Sequence, residues 1–128
     1  MIRAALLLPL FLGFCQGDET LTGHGAAEKV FTLRSINGEP FNARATITFP
    51  EEGKIAGQGP CNSYSAIQEV PYPWFKAGPI LATKRACPDL DAESLYFKTL
   101  SDMTLSEVSG IHLILSTAEG EKMEFEVE

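Results

Sequence analysis

Cationic side chains are scarce in this chain: ten Lys and Arg stand against seventeen Asp and Glu, a formal charge of −7 over 128 residues. Phosphate backbones are bound through clustered Lys and Arg, and the cations here are scattered rather than striped, so nucleic acid is not an expected partner. Histidine occurs only at His24 and His112 and cysteine only three times. Zinc needs four ligands with Cys or His at close spacing, so no metal and no other cofactor is expected. The longest apolar run, Ala4 to Phe14, has 11 residues, well short of the roughly 20 that span a bilayer. A Gly-rich phosphate loop, a Gly-x-Ser-x-Gly elbow and a His-Glu-x-x-His helix are all missing, which leaves no recognisable catalytic motif.

What is present is a leader and one body. Arg3 followed by the apolar run fits a secretory signal peptide over residues 1–17. Two processing routes suit it. Cys15 and Gly17 are small and stand at the positions an ordinary signal peptidase reads, which places cleavage before Asp18 and the product in the periplasm. Leu12-Gly13-Phe14-Cys15 also looks like a lipoprotein box, with Cys15 as the candidate lipidation site and membrane attachment as the result. Phe14 is too large for the small pocket that accepts the residue before that cut, so soluble export is the expectation. Loss of Arg3 makes the body more acidic still. The remaining roughly 110 residues suffice for one core and leave no room for a second domain.

Residues 18–28, with Gly23-His24-Gly25-Ala26-Ala27, read as a flexible linker. Val30 to Ile36 alternates as a strand, and Asn37-Gly38 marks a two-residue hairpin turn because both residues accept positive φ. Ala43, Ala45, Ile47 and Phe49 fall on one side of a second strand. Pro50 to Gly53 turns into a strand over Lys54 to Gln58, and Cys61 to Val70 reads as another with Tyr64, Ala66 and Gln68 sharing a face. Gly57 and Gly59 suit a bulge or a tight strand crossing. Pro71, Pro73 and Pro79 make an irregular segment whose rings, Tyr72, Trp74 and Phe75, cover the sheet. Asp89, Asp91 and Glu93 favour a helix start. Ala92, Tyr96, Leu100 and Met103 then form an apolar stripe, with Leu95 and Phe97 widening the buried side. Ile111, Leu113 and Leu115 and then Met123, Phe125 and Val127 make a terminal hairpin. This order predicts a mainly β, α+β fold with one helix packed on an antiparallel sheet.

Two short cysteine segments carry more information than the rest. Gly59, Cys61 and Asn62, then Thr83 and Cys87, then Glu93 and Leu100 on the helix resemble the motif of the META domain, the HslJ-like family of small bacterial envelope proteins. The resemblance covers residues 29–128 as one domain. It implies a twisted antiparallel sheet curled into a partly open barrel with the helix packed across its opening. The motif residues then read as structural, with Asn62 bonding local backbone and Glu93 the helix start. Two departures stand out: Pro60 is inserted in the first element, and Phe31 stands where relatives often carry Trp.

Cys61 and Cys87 allow three readings, a disulfide, a metal pair or free thiols. Export, and the even pair left once Cys15 is cleaved off or acylated, favour the disulfide. The family has no common activity, so the expectation is a non-enzymatic envelope binding or stress-protection module that is monomeric. Its partner is an unidentified envelope protein, met as an inhibitor or chaperone-like factor, or a small apolar ligand. The ligand-carrier version draws on the family fold's likeness to lipid-binding secretion pilot proteins, with Tyr72, Trp74 and Phe75 as candidate ligand contacts. An enzyme using Cys87 or His112 has the least support: His112 alternates with Ile111 and Leu113 and points outward.

Overall fold

The computed structural model describes residues 19–128. The leader, Cys15 and both cleavage routes lie outside them. Nine strands and one α-helix follow a 3-10 turn at Leu21–His24. Five strands come first: β1 (Phe31–Ile36), β2 (Glu39–Pro40), β3 (Thr46–Ile47), β4 (Lys54–Gln58) and β5 (Ser63–Ile67). After them come β6 (Leu81–Ala82), α1 (Leu90–Asp102), β7 (Leu105–Ser109), β8 (His112–Ser116) and β9 (Lys122–Val127).

One sheet has six strands in the order β2-β1-β9-β8-β7, with β3 also on β1; the other has three in the order β4-β5-β6. Every strand pair is antiparallel. The sheets meet where Thr48 and Ala56 exchange backbone hydrogen bonds of 2.7 and 3.0 Å. The strands therefore run as one curled path from β7 through β9, β1 and β3 to β4, β5 and β6, and the path does not close. It is the expected partly open barrel.

Local sequence explains much of this path. Asn37 and Gly38 take φ of 52° and 82° between β1 and β2, the turn conformation the pair favours. Gly57 marks the tight crossing: a Cβ there would sit 2.1 Å from the Thr46 carbonyl oxygen, so only glycine lets β4 pass so close to β3. Along β8 and β9, Leu113, Leu115, Met123 and Phe125 are buried while His112 and Lys122 are exposed, the period-2 pattern of a sheet with one face on the core. Phe31, at the position of the expected Trp, is fully buried and meets Phe49 edge-on at 6.4 Å.

Four expectations are corrected. Residues 18–28 are not a flexible linker from residue 20 on: Leu21 is 1% exposed, Ala26 is buried, and Ala27 bridges to Phe49. One large apolar residue, seated in the core, anchors a segment whose glycines suggested only spacing. The strand expected over Cys61 to Val70 is shortened to β5 because Cys61 and Asn62 belong to a bonded turn. The strand through Ala43 to Phe49 keeps its buried face but pairs regularly only at β3. Leu95 is half exposed, and the buried side of α1 runs through Glu93, Tyr96, Thr99 and Leu100 instead.

Candidate functional site

The turn after β4, the segment after β6 and the first turns of α1 converge on one spot. Cys61 and Cys87 are joined there by a disulfide with Cα atoms 5.7 Å apart. Beside it, Glu93 is 5% exposed although it carries a carboxylate. Its Oε2 accepts the Cys61 and Asn62 backbone N–H groups at 2.9 and 2.7 Å, and its Oε1 accepts the Asn62 side-chain amide at 2.8 Å. Three N–H donors offset the loss of water around a buried charge. Asn62 continues the chain of bonds. Its Nδ2 also donates to the Arg85 carbonyl at 3.0 Å, and its Oδ1 accepts the Thr83 hydroxyl at 2.9 Å and the Arg85 N–H at 2.6 Å.

The motif residues thus form one clasp. Gly59 belongs to it by being small: a Cβ would lie 2.7 Å from Glu93 Oε2. Leu100 supports it from the core, fully buried two helical turns on. Asn62 and Glu93 were expected to bond locally. Both bond across 21 to 32 residues of sequence instead, because the disulfide and the helix bring distant backbone within reach of their short side chains.

A second buried polar pair lies under the clasp. The Tyr64 and Tyr96 hydroxyls are 2.5 Å apart, and both reach the Thr46 carbonyl, at 2.7 and 3.3 Å. Burial, joined by the neighbouring Tyr96, pushes the Tyr64 phenol well above its ordinary range. Burial does the same to Tyr96, against a smaller lowering from the Tyr64 hydrogen bond. Neither phenol is poised for proton transfer near neutral pH.

The aromatic trio does not assemble. Phe75 is in the core, whereas Trp74 is 57% exposed and bridges to Leu105 through its backbone. Tyr72 is half-buried, stacks on His24 at 4.5 Å and accepts the Val108 N–H at 3.1 Å. The proline-rich segment serves as an edge cover for β7, with Phe75 N–H bonded to Thr104 and Ser106 N–H to Pro73. His112 is exposed, 3.8 Å from Glu126, and remote in sequence and sheet position from Cys87. Among the described residues no group of three His, Cys, Asp or Glu is placed to hold a metal ion, and no helix is long and apolar enough to cross a membrane.

A concavity adjoins the clasp. It is an open groove of about 400 Å³ between the β6 segment and α1, lined by Ile80, Ala82, Lys84, Arg85, Leu90 and Phe97 with Asn62 and Glu93 at its base. Sequence reasoning missed it. Leu90 reads as an ordinary helix residue, and Lys84 and Arg85 as two more scattered cations.

Curled sheet, single helix and disulfide clasp define the class: a small stapled antiparallel β domain. The chain belongs to the META domain family, whose model matches residues 20–128. That match begins where the buried lead-in begins. Among curated proteins none matches the chain. Similar solved structures include a protein from Burkholderia xenovorans, at 16% identity over 84% of this chain and 87% of that one, with a TM-score of 0.66. A DUF4847 family protein from Bacteroides vulgatus is similar at 11% identity over 80% and 94%, with a TM-score of 0.67. A third protein shares 22% identity over 77% and 88%, with a TM-score of 0.59. At these identities the likeness concerns the fold.

Proposed function

We propose that this chain is exported to the periplasm and acts there as a non-enzymatic binding or stress-protection module. The observation that carries this reading is the use to which the site's reactive groups are put. Cys61 and Cys87 are in the bridge, both oxygens of Glu93 accept N–H donors, and Asn62 and Thr83 bond each other. What these groups build is a rigid platform beside an open groove, which suits recognition rather than turnover. A disulfide at the centre of the motif suits an oxidising compartment, in keeping with the signal-like leader.

Of the two kinds of partner, another envelope protein fits better than a lipid held inside the barrel. Phe31, Ile47, Ile55, Tyr96 and Phe125 fill the interior, and interiors pack to high density. The exposed apolar groups, Trp74, Leu81 and Leu90, lie on the outside. Native mass spectrometry of the protein purified from the cell envelope, with intact mass before and after reduction, tests the reading. A mature N-terminus near Asp18, one bridge and a retained protein partner are expected. A chain left in the cytoplasm with both thiols free overturns the export reading, an acylated Cys15 moves the protein to the membrane, and a bound lipid without any protein reverses the choice of partner.

A further inference from the structure

The open seam of the barrel runs beside the clasp, and its chemistry is that of a peptide groove. β6 ends the three-stranded sheet and, among the described residues, pairs only with β5. Thr83 N–H donates to the Ser63 carbonyl at 3.1 Å, while Ala82 stands opposite Tyr64. Antiparallel ladders alternate bonded and non-bonded pairs, so the N–H and C=O of Ala82 are turned away from β5, toward the open side. An unpaired strand edge is a template for another strand. Here it faces the groove, whose opposite wall is apolar, with Leu90 and Phe97 from α1 across from Ile80.

Charge says what kind of strand fits. In a chain of net charge −7, Arg34, Arg44, Lys54, Lys98 and Lys122 each face a carboxylate of the domain itself. Lys84 and Arg85, like Lys29 and Lys76, form no ion pair among the described residues, and of these four only Lys84 and Arg85 line this groove, both exposed. Glu93 at its base has its charge taken up by three N–H groups. Asp89 and Asp91 are exposed at the start of α1 and lie outside the lining.

We propose that this groove binds an extended acidic segment of a partner protein, which adds as a strand to the free edge of β6. Its apolar side chains meet Leu90 and Phe97, and its carboxylates meet Lys84 and Arg85. Backbone pairing supplies affinity and the flanking pockets supply choice, as in other strand-addition sites. A fatty acid would match the cations and the apolar wall and leave the backbone groups of Ala82 unpaired. The proposal rests on the binding-module reading and narrows it to one surface.

The test is a titration of ¹⁵N-labelled, oxidised protein with an acetylated heptapeptide of alternating valine and threonine ending in two glutamates. Saturable shifts centred on Ala82, Lys84 and Leu90 are expected, weakening as salt is raised. Replacing the glutamates by lysines, or N-methylating the nitrogens that would face β6, should abolish them. Lys84→Glu with Arg85→Glu should weaken binding by about tenfold or more, as reversal of rim charges facing an acidic ligand does. Both side chains are exposed, and Lys84→Glu alone should show part of the loss should the double variant fold poorly. No saturable shift at millimolar peptide overturns the proposal, as does binding indifferent to charge reversal. N-methylated peptide binding as well as the parent, or sodium laurate alone producing the shifts, also overturns it and points to an amphiphile site. Should the peptides fail while protein from the envelope still carries a protein partner, the groove assignment falls and the wider reading stands.

Discussion

Glu93 is the residue on which the clasp turns, because its two oxygens face only N–H donors. Glu93→Gln keeps the shape and brings an NH2 group against one of those donors. Asn62 cannot relieve the clash by turning over, since its Oδ1 already accepts from Thr83 and Arg85. The variant should lose about 2–3 kcal/mol, the cost of a broken charged hydrogen bond with a donor left unpaired; urea unfolding with an unchanged slope measures it. A loss near zero would mean that the carboxylate contributes nothing beyond its shape. Gln68 is the opposite case. It continues the buried face of β5 beyond Ala66, and its Oε1 is buried without a partner among the described residues. Gln68→Leu should therefore hold or raise stability, by up to about 1 kcal/mol, and a clear loss in the same assay would show that the amide is satisfied.

Helix α1 and the sheet meet at Tyr64 and Tyr96, so the contact between these elements carries a pH dependence. Both phenols are raised by burial above the ordinary value of 10.0. A phenol that stays protonated in the fold and ionises in the unfolded chain makes the folded state bind more protons above that value. The stability concerned is fully present below about pH 10 and is lost as pH rises from the unfolded toward the folded pKa. Tyr96→Phe removes one of the two groups, and the number of protons released on unfolding near pH 11 should fall by about one. Equal slopes of stability against pH for variant and parent would contradict the pairing. The helix, the terminal hairpin and most buried faces were legible in the sequence because each rests on a repeat of 2 or about 3.6 residues, although Leu95 and Ile111 are half exposed where the pattern puts them inside. The lead-in was not, since Leu21 is its one large apolar residue in the core and one residue has no period. Nor was the fate of the aromatic trio, because proline-rich chain has no regular face to assign, and Phe75 and Trp74 part at adjacent positions.

At the scale of the whole molecule, the clasp fastens a barrel that strand pairing leaves open. The motif residues were recognisable through family likeness, and an even cysteine pair suggested the bridge. The bonds that join Asn62 to Arg85 and Glu93 were not legible, because they depend on where the segment after β6 and the helix land, 23 and 31 residues away. The groove was hidden for the same reason: its walls come from chain segments on either side of the disulfide. Because Cys61 and Cys87 are 26 residues apart, cross-linking them restricts the unfolded chain by an amount worth about 3–4 kcal/mol on the chain-entropy account. That is a large share of the roughly 5–15 kcal/mol that keeps a small domain folded. Cys61→Ala should thus cost nearly as much as the double variant Cys61→Ala with Cys87→Ala, since either one abolishes the same bridge. Added reductant should lower the midpoint of the parent and leave both variants unmoved. Thermal unfolding with and without reductant reads all of this at once. If the variants match the oxidised parent, the buried Glu93 and Asn62 bonds hold the seam by themselves and the bridge is not what stabilises the fold.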